Sequence, residues 1–112
     1  MEAKYEYQIF DEDRKKKVQG IEGLYDLMAA IVEKAENDLD SVRCDQKIAE
    51  LEQKYPRAAV YLKAQDWKWS PDMRQSVLGC AAIERILNGD DPAAVLEEME
   101  SKWAAFQLAQ EG

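Results

Sequence analysis

From Leu24 to Phe106 the apolar residues return every three or four positions, and that spacing restricts the chain to helices with an apolar side. The first set is Leu24, Tyr25, Met28, Ile31, Val32, Ala35 and Leu39, with Glu33, Glu36, Asp38 and Asp40 largely on the other side. Val42, Ile48, Leu51 and Tyr55 follow. Ser41 or Asp45 fits as the cap of a fresh helix, and an uninterrupted run from the preceding one fits equally well. Beyond Pro56, a residue at home in a first helical turn, Ala58, Ala59, Tyr61, Leu62 and Ala64 make a short helix. Ser70-Pro71-Asp72 reads as a hydroxyl cap followed by a first-turn proline. The helix it opens carries Met73, Val77, Cys80, Ala81, Ile83 and Leu87, and Asn88-Gly89 stops it. Asp91-Pro92 repeats the cap and proline before a stripe of Val95, Leu96, Met99, Trp103 and Phe106. The short join between these last two helices implies a helical hairpin.

The first twenty residues have a different period. Tyr5, Tyr7 and Ile9 alternate with Lys4, Glu6 and Gln8, as a half-buried strand would. A polar turn over residues 11–14 and a return strand over residues 15–19 complete a β-hairpin. Two strands alone are marginal in water, so the hairpin is expected to lie on a helix or to pair across a dimer. The fold class expected is therefore mainly α, formally α+β. Residues 1–112 form one domain, with the hairpin in 1–20 and a small bundle of four to five helices in 21–112.

Composition narrows the chemistry. There is no histidine, which removes the commonest general base, the usual serine and cysteine triads, and most zinc and non-haem iron sites. Cys44 and Cys80 are too few and too far apart for a disulfide framework. Cys80, among Val77, Ala81 and Ile83, is expected to be a buried inert thiol, and Cys44 a semi-buried or exposed one. Residues 11–22 imitate a calcium loop at Asp11, Asp13 and Glu22. Lys16 stands where the loop needs glycine, and three lysines exclude a cation. No phosphate-binding loop is present. No catalytic residue, cofactor or metal is expected.

The net charge is −8, with 23 acids against 15 bases. The bases cluster only in the tetrad of residues 14–17, too little for a nucleic-acid footprint, and the last helix has Lys102 alone where a recognition helix would be basic. The longest apolar run, residues 27–32, falls far short of the roughly 18–20 residues of a membrane span. An N-terminus without a basic, apolar leader points to the cytoplasm.

What remains is surface recognition. Trp67 and Trp69 flank Lys68 near a proline break, with Tyr61 close in sequence, and aromatics of this kind anchor interfaces. Glu97, Glu98 and Glu100 lie off the apolar stripe of the last helix and offer an acidic ridge. Tyr61, Trp67, Trp69, Glu97, Glu98 and Glu100 are thus the candidate partner-binding residues. Trp103, spaced with Met99 and Phe106, is expected in the core.

Three stretches carry a resemblance: Tyr55-Pro56-Arg57-Ala58-Ala59 with Tyr61-Leu62-Lys63-Ala64, then residues 84–90, then Met99-Glu100 with Trp103. Over about half its length the chain resembles small proteins carried on conjugative transposons and phage-like elements of Firmicutes. That group has no assigned activity, so the resemblance implies a mobile-element setting and no site residues. The expected function is a non-enzymatic accessory protein that binds a protein partner, as monomer or homodimer, without direct nucleic-acid or membrane contact. The alternative is an acidic inhibitor whose Asp38, Asp40, Glu97, Glu98 and Glu100 imitate phosphates before a nucleic-acid-binding protein. A carboxylate-based metalloenzyme comes third.

Overall fold

The computed structural model describes residues 12–111, and all of their regular structure is helical. Helix α1 covers residues 12–19. It is followed by α2 (Leu24–Glu36), a 3-10 turn (Asp38–Asp40), α3 (Ser41–Lys54), α4 (Pro56–Lys68), α5 (Met73–Leu87) and α6 (Pro92–Glu111). The mainly helical class holds, with six α-helices among the described residues where four to five were expected. The proposed strand at Tyr5, Tyr7 and Ile9 lies outside the described residues.

The return strand at residues 15–19 is corrected: these residues belong to α1. Charge order explains the helix. Glu12 and Asp13 stand at its beginning and Lys15, Lys16 and Lys17 towards its end, the arrangement that the helix dipole favours. Asp13 and Lys17 pair one turn apart at 3.9 Å. Arg14 pairs with Glu84, which ties α1 to α5.

Local chemistry sets the other boundaries. Asn37 ends α2: its side-chain Nδ2 donates to the Glu33 carbonyl at 3.0 Å, and its backbone N–H points to the same carbonyl. This competition from a short amide side chain breaks the run that periodicity left open. Tyr55 stays out of the helical region (φ −126°, ψ 71°), as a residue before proline must, so α4 begins at Pro56. The cap of α5 is Asp72 rather than Ser70. Its Oδ1 accepts from Arg74 N–H at 2.9 Å, while Ser70 Oγ accepts from Asp72 N–H at 3.2 Å and so shapes the approach. At the other end Gly89 takes φ 91°, and the N–H groups of Gly89 and Asp90 donate to the Ile86 and Arg85 carbonyls. This is the paired closure by which a left-handed glycine ends a helix. Arg57 Nη1 then reaches across from α4 to the Ile86 and Asp90 carbonyls, at 3.1 and 3.0 Å.

The core gathers around α4. Ala58, Val60, Tyr61 and Ala64 meet Leu24 and Leu27 of α2, Ala82, Ile83 and Ile86 of α5, and Val95 and Met99 of α6, with Ile21 closing one end. Gly79 marks the closest approach of α4 and α5: a Cβ there would stand 2.6 Å from both Ala64 O and Lys68 N. The molecule is flat, 48 × 43 × 26 Å, and its radius of gyration of 16.0 Å exceeds the roughly 13 Å of a compact chain of about this size. Part of the excess is α6, in which every residue from 104 to 110 is exposed. Among the described residues no helix is long and apolar enough to cross a membrane.

Candidate interaction surface

Which side of each amphipathic helix turns inward decides what is left for a partner. In α5 the buried side is Leu78, Gly79, Ala82, Ile83 and Ile86. Small Gly79 and Ala82 let α4 come close, so that side wins, and Met73, Val77, Cys80 and Ala81 are turned out. Cys80 is therefore exposed and Cys44 buried, the reverse of the sequence expectation. Cys44 is buried in the first turn of α3, beside the end of α2.

Met73 and Val77 stand one turn apart on the outward side of α5 and are 79 % and 63 % exposed. Trp69, at the C-terminal cap of α4 and one loop before them, is 78 % exposed, with Lys68 Nζ 5.6 Å from its ring centre. Trp67 is half-buried against the core and lies 6.1 Å from Trp103 with the rings inclined at 60°. Trp103 is itself only half-buried, so it lines the edge of the core rather than filling it. The Arg74 guanidinium lies 6.0 Å from the Trp103 ring and 5.9 Å from that of Phe106, cation–π contacts that hold α6 to the start of α5. The same guanidinium donates to both carboxylate oxygens of Asp72, which raises the pKa of Arg74 and lowers that of Asp72. An exposed tryptophan, two exposed aliphatic side chains and two cations thus border one corner of the bundle.

The other candidates fall elsewhere. Tyr61 is in the core, its hydroxyl accepting from Gln65 Nε2 at 2.7 Å, and offers nothing to a partner. Glu97 is exposed, but its neighbours are engaged within the molecule. Glu98 pairs with Arg85 and, at 2.7 Å, with Lys102. Glu100 pairs with Lys63 at 2.7 Å. Met73 and Val77 were missed as surface residues because the stripe containing them was assigned to the core.

A polar cleft of about 270 Å³ opens beside the end of α2, lined by Glu33, Asn37, Asp40, Arg43, Cys44 and Lys47. Lys47 bridges to Glu33 at 3.1 Å, so its charges largely compensate one another. Among the described residues no three His, Cys, Asp or Glu side chains gather as a metal site. No protein-family model, curated protein or solved structure matches this chain.

Proposed function

We propose that this chain is a non-enzymatic interaction protein that seats a protein partner on the corner formed by Trp69, Met73 and Val77. The observation that carries the reading is the exposure of these three large apolar side chains, each well over half open to solvent, on one short stretch of chain. Scattered exposed aliphatics need no explanation, but a tryptophan joined to an apolar strip and flanked by Lys68 and Arg74 is the composition of an interface centre. Lys68 makes an apolar segment with an acidic flank the fitting partner surface, since Arg74 is already paired with Asp72. A cytoplasmic accessory role in a mobile-element setting belongs to the same proposal. Phosphate mimicry draws less support, because Glu98 and Glu100 already have basic partners on the same molecule.

The test is paired affinity capture from the native cell, with wild type and with a Trp69→Ala, Met73→Ala double variant as baits. A partner retained by the first and lost by the second supports the reading, provided the variant keeps its helical circular dichroism. Capture by both baits that fades as salt is raised would instead favour the acidic-mimic alternative.

A further inference from the structure

The inner and outer sides of α2 are both apolar. Leu24, Leu27 and Ala30 are buried. Round the helix, Tyr25, Met28, Val32 and Ala35 follow the alternating three- and four-residue spacing of a coiled-coil seam. All four face solvent, with Tyr25, Met28 and Val32 exposed by 58, 42 and 54 %. A row of large apolar side chains left open on a helix calls for a covering surface. Two of the four charged groups of α2 are turned away from this seam, while Asp26 and Glu36 are exposed, Glu36 beside Ala35 at its edge. Lys34 pairs with Asp45 at 2.5 Å and Glu33 with Lys47 at 3.1 Å, both directed towards α3.

We propose that the seam is covered by the same seam of a second copy of this chain, running antiparallel about a two-fold axis. Two features of the seam select a second copy. The first is size order. Large side chains occupy one half, Tyr25 and Met28, and small ones the other, Val32 and Ala35. An antiparallel pairing sets Tyr25 opposite Ala35 and Met28 opposite Val32, large against small in every layer, as close packing requires. A parallel pairing would crowd Tyr25 on Tyr25 and leave Ala35 facing Ala35. A two-fold contact needs this self-complementarity, in which residue i meets j and j meets i. The second is area. With Ile31 beside them, the exposed seam residues offer roughly 400 Å² per copy, close to the apolar share of the ~800 Å² that each partner buries in a standard interface. The seam is on α2 and the Trp69 corner on α4 and α5, so this dimer stands or falls independently of the partner reading.

Sedimentation equilibrium of the full chain at tens of micromolar is expected to show a dimer. Val32→Glu is expected to weaken it by about thirtyfold or more, the effect of a hot-spot residue, with helical circular dichroism unchanged because the position faces solvent. For register, Met28→Cys and Val32→Cys are each made in a Cys80→Ser background, since Cys80 is exposed. An equimolar mixture is expected to cross-link by disulfide between the two variants, and neither variant with itself. A monomer at these concentrations overturns the proposal, as does a dimer indifferent to Val32→Glu. Preferential cross-linking of Met28→Cys to itself overturns the antiparallel arrangement.

Discussion

Gly79→Ala sets two opposed effects against each other, and the geometry decides between them. In the middle of a helix, glycine to alanine favours folding by about 1 kcal/mol through backbone entropy. Gly79 lies in the middle of α5, where the added Cβ would be 2.6 Å from Ala64 O, 2.6 Å from Lys68 N and 2.9 Å from Trp67 Cβ. Two of those atoms are backbone and cannot rotate away. Relief therefore requires α5 to move off α4 by several tenths of an ångström. The hydrogen bond from Ser76 Oγ to the Lys68 carbonyl, 2.7 Å long and one turn away, resists that movement. Overpacking of this kind costs typically 1–3 kcal/mol, and rigid backbone contacts place it at the upper end. The net expectation is a loss of about 1–2 kcal/mol, or a fall in Tm of roughly 5–15 °C for a chain of this size. Urea titration followed by circular dichroism at 222 nm measures it. Gly20→Ala is the control: its Cβ would meet nothing nearer than Lys17 O at 3.4 Å, an ordinary contact, so stability should be unchanged or slightly raised. If Gly79→Ala is as stable as wild type or more so, the close approach of α4 and α5 is wrong.

Arg57→Ala is expected to lower stability by about 1–2 kcal/mol, since it leaves the Asp90 carbonyl without its donor while that of Ile86 keeps the Gly89 N–H; urea midpoints report it. Asp72 has its pKa held below the ordinary 3.8, first by its side-chain hydrogen bond with Arg74. Its stabilising effect is thus complete above 3.8 and disappears as pH falls through the lower folded value. Melting curves of wild type and Asp72→Asn should differ more at pH 5 than at pH 2, and equal differences would refute the ionic contribution. Cys80 should react at once with a thiol reagent in the native protein and Cys44 only on unfolding, as read by mass spectrometry with and without denaturant.

The sequence marks where these helices begin and end far better than which way they face. Proline after Tyr55 and Asp91, and Asn88-Gly89, act through the backbone within a turn or two. Such signals survive whatever the helix packs against. Facing is a property of the whole assembly. In α2 both the Leu24, Leu27, Ala30 side and the Tyr25, Met28, Val32 side are apolar, and in α5 both the Leu78 and the Val77 sides are. Periodicity describes an amphipathic arc without saying which half meets a neighbour. The small residues Ala58, Ala64, Gly79 and Ala82 carry that information, because helices settle where they can come closest. Of the candidate surface, the exposure of Trp69 was legible from its place beside a break. Tyr61 was not, because a tyrosine with its hydroxyl bonded to Gln65 reads like an exposed one. The lysines of α1 were misread as strand because alternation upstream outweighed the order of charges along residues 12–17.

Arg57 has a consequence for how the molecule comes apart. By holding the turn between α5 and α6 to the start of α4, it makes three helices share one fastening, so none of them can open without releasing the others. The α2–α3 pair meets that block through Leu24, Leu27, Ile48, Leu51 and Tyr55, and its remaining links, Lys34–Asp45 and Lys47–Glu33, stay within the pair at exposed positions. Such ion pairs add little. Hydrogen exchange should therefore divide the chain into two cooperative units, with the amides of α4 and α5 protected up to the global unfolding free energy and those of α2 and α3 released earlier. Anything seated on α2 alone is released in both openings, so it raises both free energies by the same amount and leaves the gap between the two units unchanged.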